Sequence, residues 1–387
     1  MPKTRALLAV LALAGGAAVA VATTASAAGT GYVALGDSYS SGVGTGSFLD
    51  DGTDCQRSVY AYPSLIAAGT GLDLNLRACS GARVADVTAG QLDALSTDTR
   101  YVSVSVGGND AGFADVLTEC AKPGWMSDCN TAIDGSQAVI TGALPGRLAD
   151  LYGQIRERSP QATVVVVGYP HVFNGEDCNA GTWFSPAEES RLNATADLLD
   201  GTIAAAAGAA GFAVVDPTSS FLGHAVCDSP EWLNGLSWPI TESYHPNRAG
   251  HSVGYLPLVA PVLTGNAVTA DETVLAGAAA SAGPLTAQQR QYADRDAGIR
   301  PEQFVAPDLD SPAARAAAAK AGVDLASRVS IDTVDAAFSV AQAKAAGVLD
   351  ELQRAAGTVA RHAAAAGARA GETVQSWGRR AWSVFGG

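Results

Sequence analysis

Between Thr30 and about Gly265 the chain alternates short apolar runs with longer stretches whose apolar residues recur at helical spacing. The runs are Tyr32–Leu35, Leu74–Ala78, Tyr101–Val106, Thr163–Tyr169 and Phe212–Val215. They are mostly β-branched or apolar and show little strict alternation. Strands buried on both faces have this character, as in a parallel sheet covered by helices. Val84, Val87, Leu92 and Leu95 fall near helical spacing and predict a helix over Val84–Leu95. Ser185-Pro186-Ala187-Glu188 reads as a capping box with proline at the first helical position, opening a helix over Pro186–Ala210. Five strands with helical crossovers predict one α/β domain of three layers, with helices on both faces of a five-stranded parallel sheet.

The pattern changes after Gly265. Residues 267–387 are rich in alanine and contain no strand-like run. Ile331–Arg354 has helical spacing, with Val334, Phe338, Ala341, Val348 and Leu349 on one face. Val374–Phe385 is amphipathic, combining Trp377, Trp382 and Phe385 with Arg379-Arg380. The expected extension is helical or partly disordered. Its expected contacts are the catalytic region or, as a sharper alternative, the cell wall or a membrane surface. At the other end, Lys3 and Arg5 precede an apolar run from Ala6 to about Val21 that closes on Ala25-Ser26-Ala27. This pattern describes a cleaved secretory leader, with cleavage after Ala27 or Ala28. No later stretch is long and apolar enough to span a bilayer. The expected division is a leader over 1–27, a catalytic domain over 28–266 and an extension over 267–387, in a secreted, extracellular monomer.

Charge and cysteine usage narrow the function. The net charge is -14, with 25 acidic against 10 basic residues in 28–266 and 13 against 12 in 267–387. Phosphate binding needs a basic face, so nucleic acid is not an expected partner. All six cysteines lie in the first region. An even count in an exported chain reads as three disulfides, and of the fifteen pairings open to six cysteines the sequential one is expected: Cys55–Cys79, Cys120–Cys129 and Cys178–Cys227. There is no C-x-x-C and no histidine at ligand spacing, so neither a metal nor a cofactor is expected. Gly42-Val43-Gly44-Thr45-Gly46 fits neither G-x-G-x-x-G nor the P-loop.

Candidate chemistry gathers where strands end. Gly36-Asp37-Ser38-Tyr39-Ser40, Cys79-Ser80-Gly81, Gly107-Gly108-Asn109-Asp110 and the Gly168–His171 corner each follow a candidate strand. Active sites of open parallel sheets lie beyond the carboxyl ends of the strands. Each segment alone is explained as a turn or a helix cap; together they point to one rim. Glu242-Ser243-Tyr244-His245-Pro246-Asn247 adds a histidine beside a proline. His245 is the preferred base and His251 the second choice, while His171, His224 and His362 read as structural or distal.

These motifs resemble the four blocks of the SGNH (GDSL-type) hydrolases, and among them the secreted actinobacterial lipases and esterases. Phe221-Leu222-Gly223-His224 with Cys227 resembles a further segment of those enzymes. The resemblance covers about residues 30–265 and implies the flavodoxin-like SGNH hydrolase fold. It implies Ser38 as nucleophile, His245 as general base and acid, and an oxyanion hole from the Ser38 N–H, the Gly81 N–H and the Asn109 amide. Asp37 and Asp110 are expected to buttress their turns. The family commonly has Asp three residues before the histidine; here Glu242 stands there. Either the Glu242 carboxylate or a carbonyl from residues 242–243, Ser243 included, then orients His245. The implied partner is an ester or lipid substrate, expected to be a carboxylic ester with a medium or long acyl chain. Phospholipid esters and acetylated polysaccharides share the same chemistry. Trp125, Met126, Phe173, Trp183, Phe184, Trp232 and Trp238 are candidates for an acyl channel or, equally, for covering loops. From another class, the hydrolase body would be inactive and the extension would act as a surface-binding module.

Overall fold

A computed structural model describes residues 31–301, 303–342 and 344. The leader, Val374–Phe385 and residues 345–354 of the helical reading lie outside the described residues. Five strands form the sheet: β1 (Gly31–Gly36), β2 (Asp73–Leu76), β3 (Tyr101–Ser105), β4 (Thr163–Val167) and β5 (Ala213–Val215). Their order is β2-β1-β3-β4-β5 and every neighbouring pair is parallel. All five apolar runs became strands, and Tyr32–Leu35 and Val164–Val167 are buried on both faces.

The connecting helices are α1 (Ser38–Ser41), α2 (Tyr62–Thr70), α3 (Val84–Asp86), α4 (Phe113–Cys120), α5 (Cys129–Thr141) and α6 (Leu144–Arg158). They are followed by α7 (Pro186–Ala209), α8 (Leu256–Thr264), α9 (Glu272–Ala280), α10 (Ala282–Gln289), α11 (Ala293–Asp296) and α12 (Pro312–Ala321). Helices α2 and α8 pack together on one layer of the sheet, and α6 and α7 on the other. Helix α7 starts where the capping box predicts: Ser185 Oγ accepts from Glu188 N–H at 3.3 Å, and Glu188 Oε2 accepts from Ser185 N–H at 2.9 Å.

Strand β1 runs between β2 and β3, so the chain leaves the sheet centre in opposite directions from these neighbours. That crevice is the topological switch point, where open α/β sheets bind ligands. Gly36 permits the close approach: a Cβ there would lie 2.1 Å from the Ser105 carbonyl oxygen, and its φ is +123°. The predicted helix over Val84–Leu95 differs in form. Three α-helical residues pass into a π turn over Val87–Gln91 and a 3₁₀ turn over Leu92–Ala94. The departure coincides with Gln91, whose buried amide bonds both the N–H and the carbonyl of Gly36, at 2.7 and 2.9 Å. The carbonyl also accepts Cys79 N–H at 3.0 Å, so Gln91 joins a backbone bond there in pairing the buried end of β1.

Disulfides join Cys55 to Cys79, Cys120 to Cys129 and Cys178 to Cys227. The first fastens the loop after α1 to the turn carrying Gly81, where Ser80 N–H also donates to the Cys55 carbonyl at 3.0 Å. Beyond Gly265, α9 packs on α2. Asp296, at the end of α11, receives Arg57 Nη2 at 2.7 Å and both terminal nitrogens of Arg77 at 3.0 Å. All three side chains are buried. Opposite charges and fork-like hydrogen bonds compensate the desolvation that any one of them would suffer alone. Farther on, Ala318 of α12 and Ile331 cluster with Trp125 and Trp183. Among the described residues no helix is long and apolar enough to cross a membrane.

Candidate active site

Ser38 begins α1 directly after β1. Asp37 caps that helix, its carboxylate accepting Tyr39 N–H at 3.1 Å. Its other oxygen accepts the Tyr169 hydroxyl at 2.5 Å, and Tyr169 in turn accepts Gly108 N–H at 3.3 Å. Asp37 thus ties the turn after β1 to the turn after β3 and the corner after β4. Burial lifts the Asp37 carboxyl to about 7, against the opposing hydrogen bonds from Tyr169 and Tyr39. Asp110 buttresses the neighbouring turn, accepting Val84 N–H at 2.8 Å and Arg147 at 3.0 Å.

His245 reaches the same point from the far end of the domain. Its Nε2 lies 2.9 Å from Ser38 Oγ, and its Nδ1 lies 2.9 Å from the Ser243 carbonyl oxygen. A carbonyl can only accept, so Nδ1 carries the proton and Nε2 is left to accept from the serine hydroxyl. Burial lowers the imidazole to about 4, opposed by the Ser243 hydrogen bond, so the ring is neutral near pH 7. The loop before it is fixed from both sides: Tyr244 N–H donates to Asn234 O, and Asn234 N–H donates to His245 O, each at 2.9 Å. Tyr244 adopts φ +61°, a conformation that costs a non-glycine residue about 1–3 kcal/mol. The paired bonds to Asn234 and the Tyr39 hydroxyl on the Tyr244 carbonyl at 3.0 Å offset that strain.

Of the two orienters left open by the sequence, the Ser243 carbonyl occupies the position. Glu242 sits in a 3₁₀ turn over Ile240–Glu242, and its carboxyl faces Gly46 instead of the imidazole. Burial raises that carboxyl, partly offset by the Gly46 N–H and by Arg248.

Asn109 approaches from the turn after β3, donating to the Ala82 carbonyl at 3.0 Å and so meeting the turn that carries Gly81. Its amide has a second proton free to point elsewhere. Among the described residues neither the Ser38 nor the Gly81 N–H has a hydrogen-bond acceptor. Gly81 has φ +79°. The remaining histidines have other employment. His251 is buried and accepts Tyr62 N–H at 3.2 Å; burial, aided by His245, lowers it to about 3. His171 meets Asp197 at the surface and His224 stacks on Trp232. His362 lies outside the described residues.

Beside Ser38 opens a cavity of ≈ 70 Å³ whose lining is mostly apolar, shared by Ser38 and Asn109 with Phe113, Leu117, Ile140, Phe173 and Leu199. Of the aromatic candidates only Phe173 lines it. Phe184 packs on Phe173 and Tyr244, while Trp125, Met126 and Trp183 pack with the extension. Trp232 packs on Phe221, and Trp238 is 86% exposed. The sequence reasoning missed Tyr169, Gln91 and Asn234. No spacing signals them: Tyr169 meets Asp37 132 positions away and Gln91 meets Gly36 55 positions away, while Asn234 stands in a loop with no pattern of its own.

The GDSL-like Lipase/Acylhydrolase family model matches residues 34–253. "Lipase 1" of Streptomyces coelicolor is 44% identical over 256 residues, a match covering 64% of this chain and 94% of that lipase. The crystal structure of an extracellular lipase from Streptomyces rimosus is similar at 44% identity and a TM-score of 0.57, covering 60% of this chain and 99% of that one. A phospholipase A1 from Streptomyces albidoflavus NA297 is similar at 42% identity and a TM-score of 0.56, covering 60% and 98%.

Proposed function

Since the chain belongs to the GDSL-like lipase/acylhydrolase family and is a carboxylic ester hydrolase, we propose that Ser38 and His245 carry out the hydrolysis as a dyad oriented by the Ser243 carbonyl. The observation that carries this reading is the 2.9 Å contact between Ser38 Oγ and the neutral His245 Nε2. In the first half-reaction Oγ attacks the ester carbonyl carbon while its proton passes to Nε2. The oxyanion so formed is held by the Ser38 and Gly81 N–H groups and the free amide proton of Asn109. As it collapses, Nε2–H protonates the leaving alcohol and an acyl-Ser38 ester remains. Water then attacks the acyl carbonyl, giving its proton to Nε2. Collapse of the second oxyanion returns that proton to Ser38 Oγ and frees the carboxylic acid.

The apolar cavity beside Ser38 supports a medium or long acyl chain as the substrate's acid part. The acid part of an acetylated sugar is a single methyl carbonyl, which would leave most of that apolar lining uncovered. A phospholipid ester is the second reading, favoured by the similarity to the phospholipase A1. The reading includes secretion behind a leader over 1–27, a catalytic unit over 28–266 and an extension over 267–387. Export is supported by the leader's pattern and by the extracellular relative. Wild type and Ser38→Ala assayed side by side on p-nitrophenyl butyrate, laurate and palmitate, and on a phosphatidylcholine, test it. Turnover confined to wild type and rising from butyrate to the longer chains is expected. Equal turnover in the two proteins would exclude Ser38 as the nucleophile.

A further inference from the structure

The extension does not merely rest on the back of the domain. After Asp296 the chain crosses the rim that carries the candidate site. A Cβ on Gly81 would lie 2.1 Å from the Arg300 carbonyl oxygen and 2.7 Å from Pro301 Cα, so the extension's backbone lies directly against that glycine. Phe304 is buried and meets Tyr244, the residue before His245, edge to face at 4.9 Å. Val305 N–H donates to Thr118 Oγ1 on α4 at 2.9 Å. The crossing is tied at both ends: upstream by Asp296 between Arg57 and Arg77, downstream by Asp332 on Trp183 Nε1 at 3.2 Å and Asp335 on Gly124 N–H at 2.6 Å. Near these contacts Ser38, Asn109 and His245 are only 6%, 7% and 8% exposed. The family match ends at residue 253, so this crossing is additional to the hydrolase unit.

We propose that residues 297–301 and 303–305 form a strap across the leaving-group side of the site, so that the extension decides which alcohols the enzyme accepts. The inference rests on the roles assigned above to Ser38, Gly81 and His245. The acyl cavity is walled by α4, α5, α7 and the loops after β1, β3 and β4, not by the strap. The acid part of the ester therefore keeps its space whether the strap is down or lifted. What the strap occupies is the ground beside Gly81 and Tyr244, where a departing alcohol must fit. A small, flat alcohol passes beneath it. An alcohol the size of a diacylglycerol reacts only with the fraction of molecules whose strap is lifted, and its apparent affinity is reduced by that fraction. The two fixed ends make the span between them the movable part. Its hold on the rim is the buried Ile299 and Phe304 side chains, the backbone packed on Gly81 and one hydrogen bond to Thr118.

Two substrates with the same acyl group and different alcohols isolate this effect: p-nitrophenyl butyrate and tributyrin. They are compared in the full chain as wild type, Phe304→Ala and Thr118→Val, with thermal melting of each. The ratio of kcat/KM for tributyrin to that for p-nitrophenyl butyrate is expected to rise about tenfold in Phe304→Ala and about threefold in Thr118→Val. If Phe304→Ala does not fold, Thr118→Val carries the test, because it keeps the side-chain shape and removes a single acceptor. A ratio within about twofold of wild type in the folded variants overturns the strap, whatever the absolute rates do. Failure of the nucleophile reading looks different: wild type then hydrolyses p-nitrophenyl butyrate no faster than Ser38→Ala.

Discussion

The imidazole Nδ1 of His245 lies 2.9 Å from the carbonyl oxygen of Ser243, two residues earlier in the same loop. The position a carboxylate fills in a serine triad is thus taken by the main chain. A carbonyl fixes the tautomer and the ring direction, as the triad aspartate does, but brings only a partial negative charge to the imidazolium. The burial of His245 adds to the cost of that cation and is the main cause of its lowered pKa.

Glu242→Gln should therefore leave kcat on p-nitrophenyl butyrate within about threefold of wild type, where losing a triad carboxylate costs about 10⁴. The Glu242 carboxyl faces Gly46, and an amide oxygen can take over that contact. Steady-state kinetics of the purified variant check this. A loss of a thousandfold or so would return the carboxylate to the orienting role.

Asn109→Ala should lower kcat by about 10²–10³ while KM changes little, because in the proposed mechanism its free amide proton serves the oxyanion and not the resting ester. Asn109 also donates to Ala82 O, so some loss of stability is expected from that bond, about 1 kcal/mol. Urea unfolding beside the kinetics separates the two contributions. A variant whose KM rises with kcat unchanged would place Asn109 in ground-state binding instead.

The pH profile follows from the same histidine. The proposed mechanism needs the neutral ring, so activity should be present above the His245 pKa and fall as pH drops through it. With that pKa at about 4, kcat/KM at pH 5.5 should keep more than about 90% of its plateau. An unperturbed histidine near 6.5 would leave about a tenth. A rate profile from pH 4 to 8, with folding followed by circular dichroism, distinguishes them.

How much could be read in advance depended on the distance over which each residue acts. The strands were legible because β1, β3 and β4 are buried on both faces and so spell continuous apolar runs. Ser38, Gly81 and Asn109 stand out as candidates because each sits one turn beyond a strand, and the helix at Pro186 was legible because its cap is local. Gln91 was not, since its partner Gly36 lies 55 positions away and the spacing around it still reads as a helix. Nor were Tyr169, which links three turns through Asp37, or the Arg57–Asp296–Arg77 cluster, whose acid comes from the alanine-rich extension. The choice between Glu242 and Ser243 turned on a side-chain direction that no spacing encodes.

In the proposed reaction an acyl group is transferred to Ser38 with His245 as its base. Incubating the full-length protein with a p-nitrophenyl alkylphosphonate, which is attacked like an ester but leaves a stable adduct, tests it directly. Intact-mass and peptide mapping should find one phosphonyl group, on the peptide containing Ser38. Labelling should slow by about a thousandfold or more in His245→Ala. A label on another residue, or an equal rate of labelling without the histidine, would contradict the account.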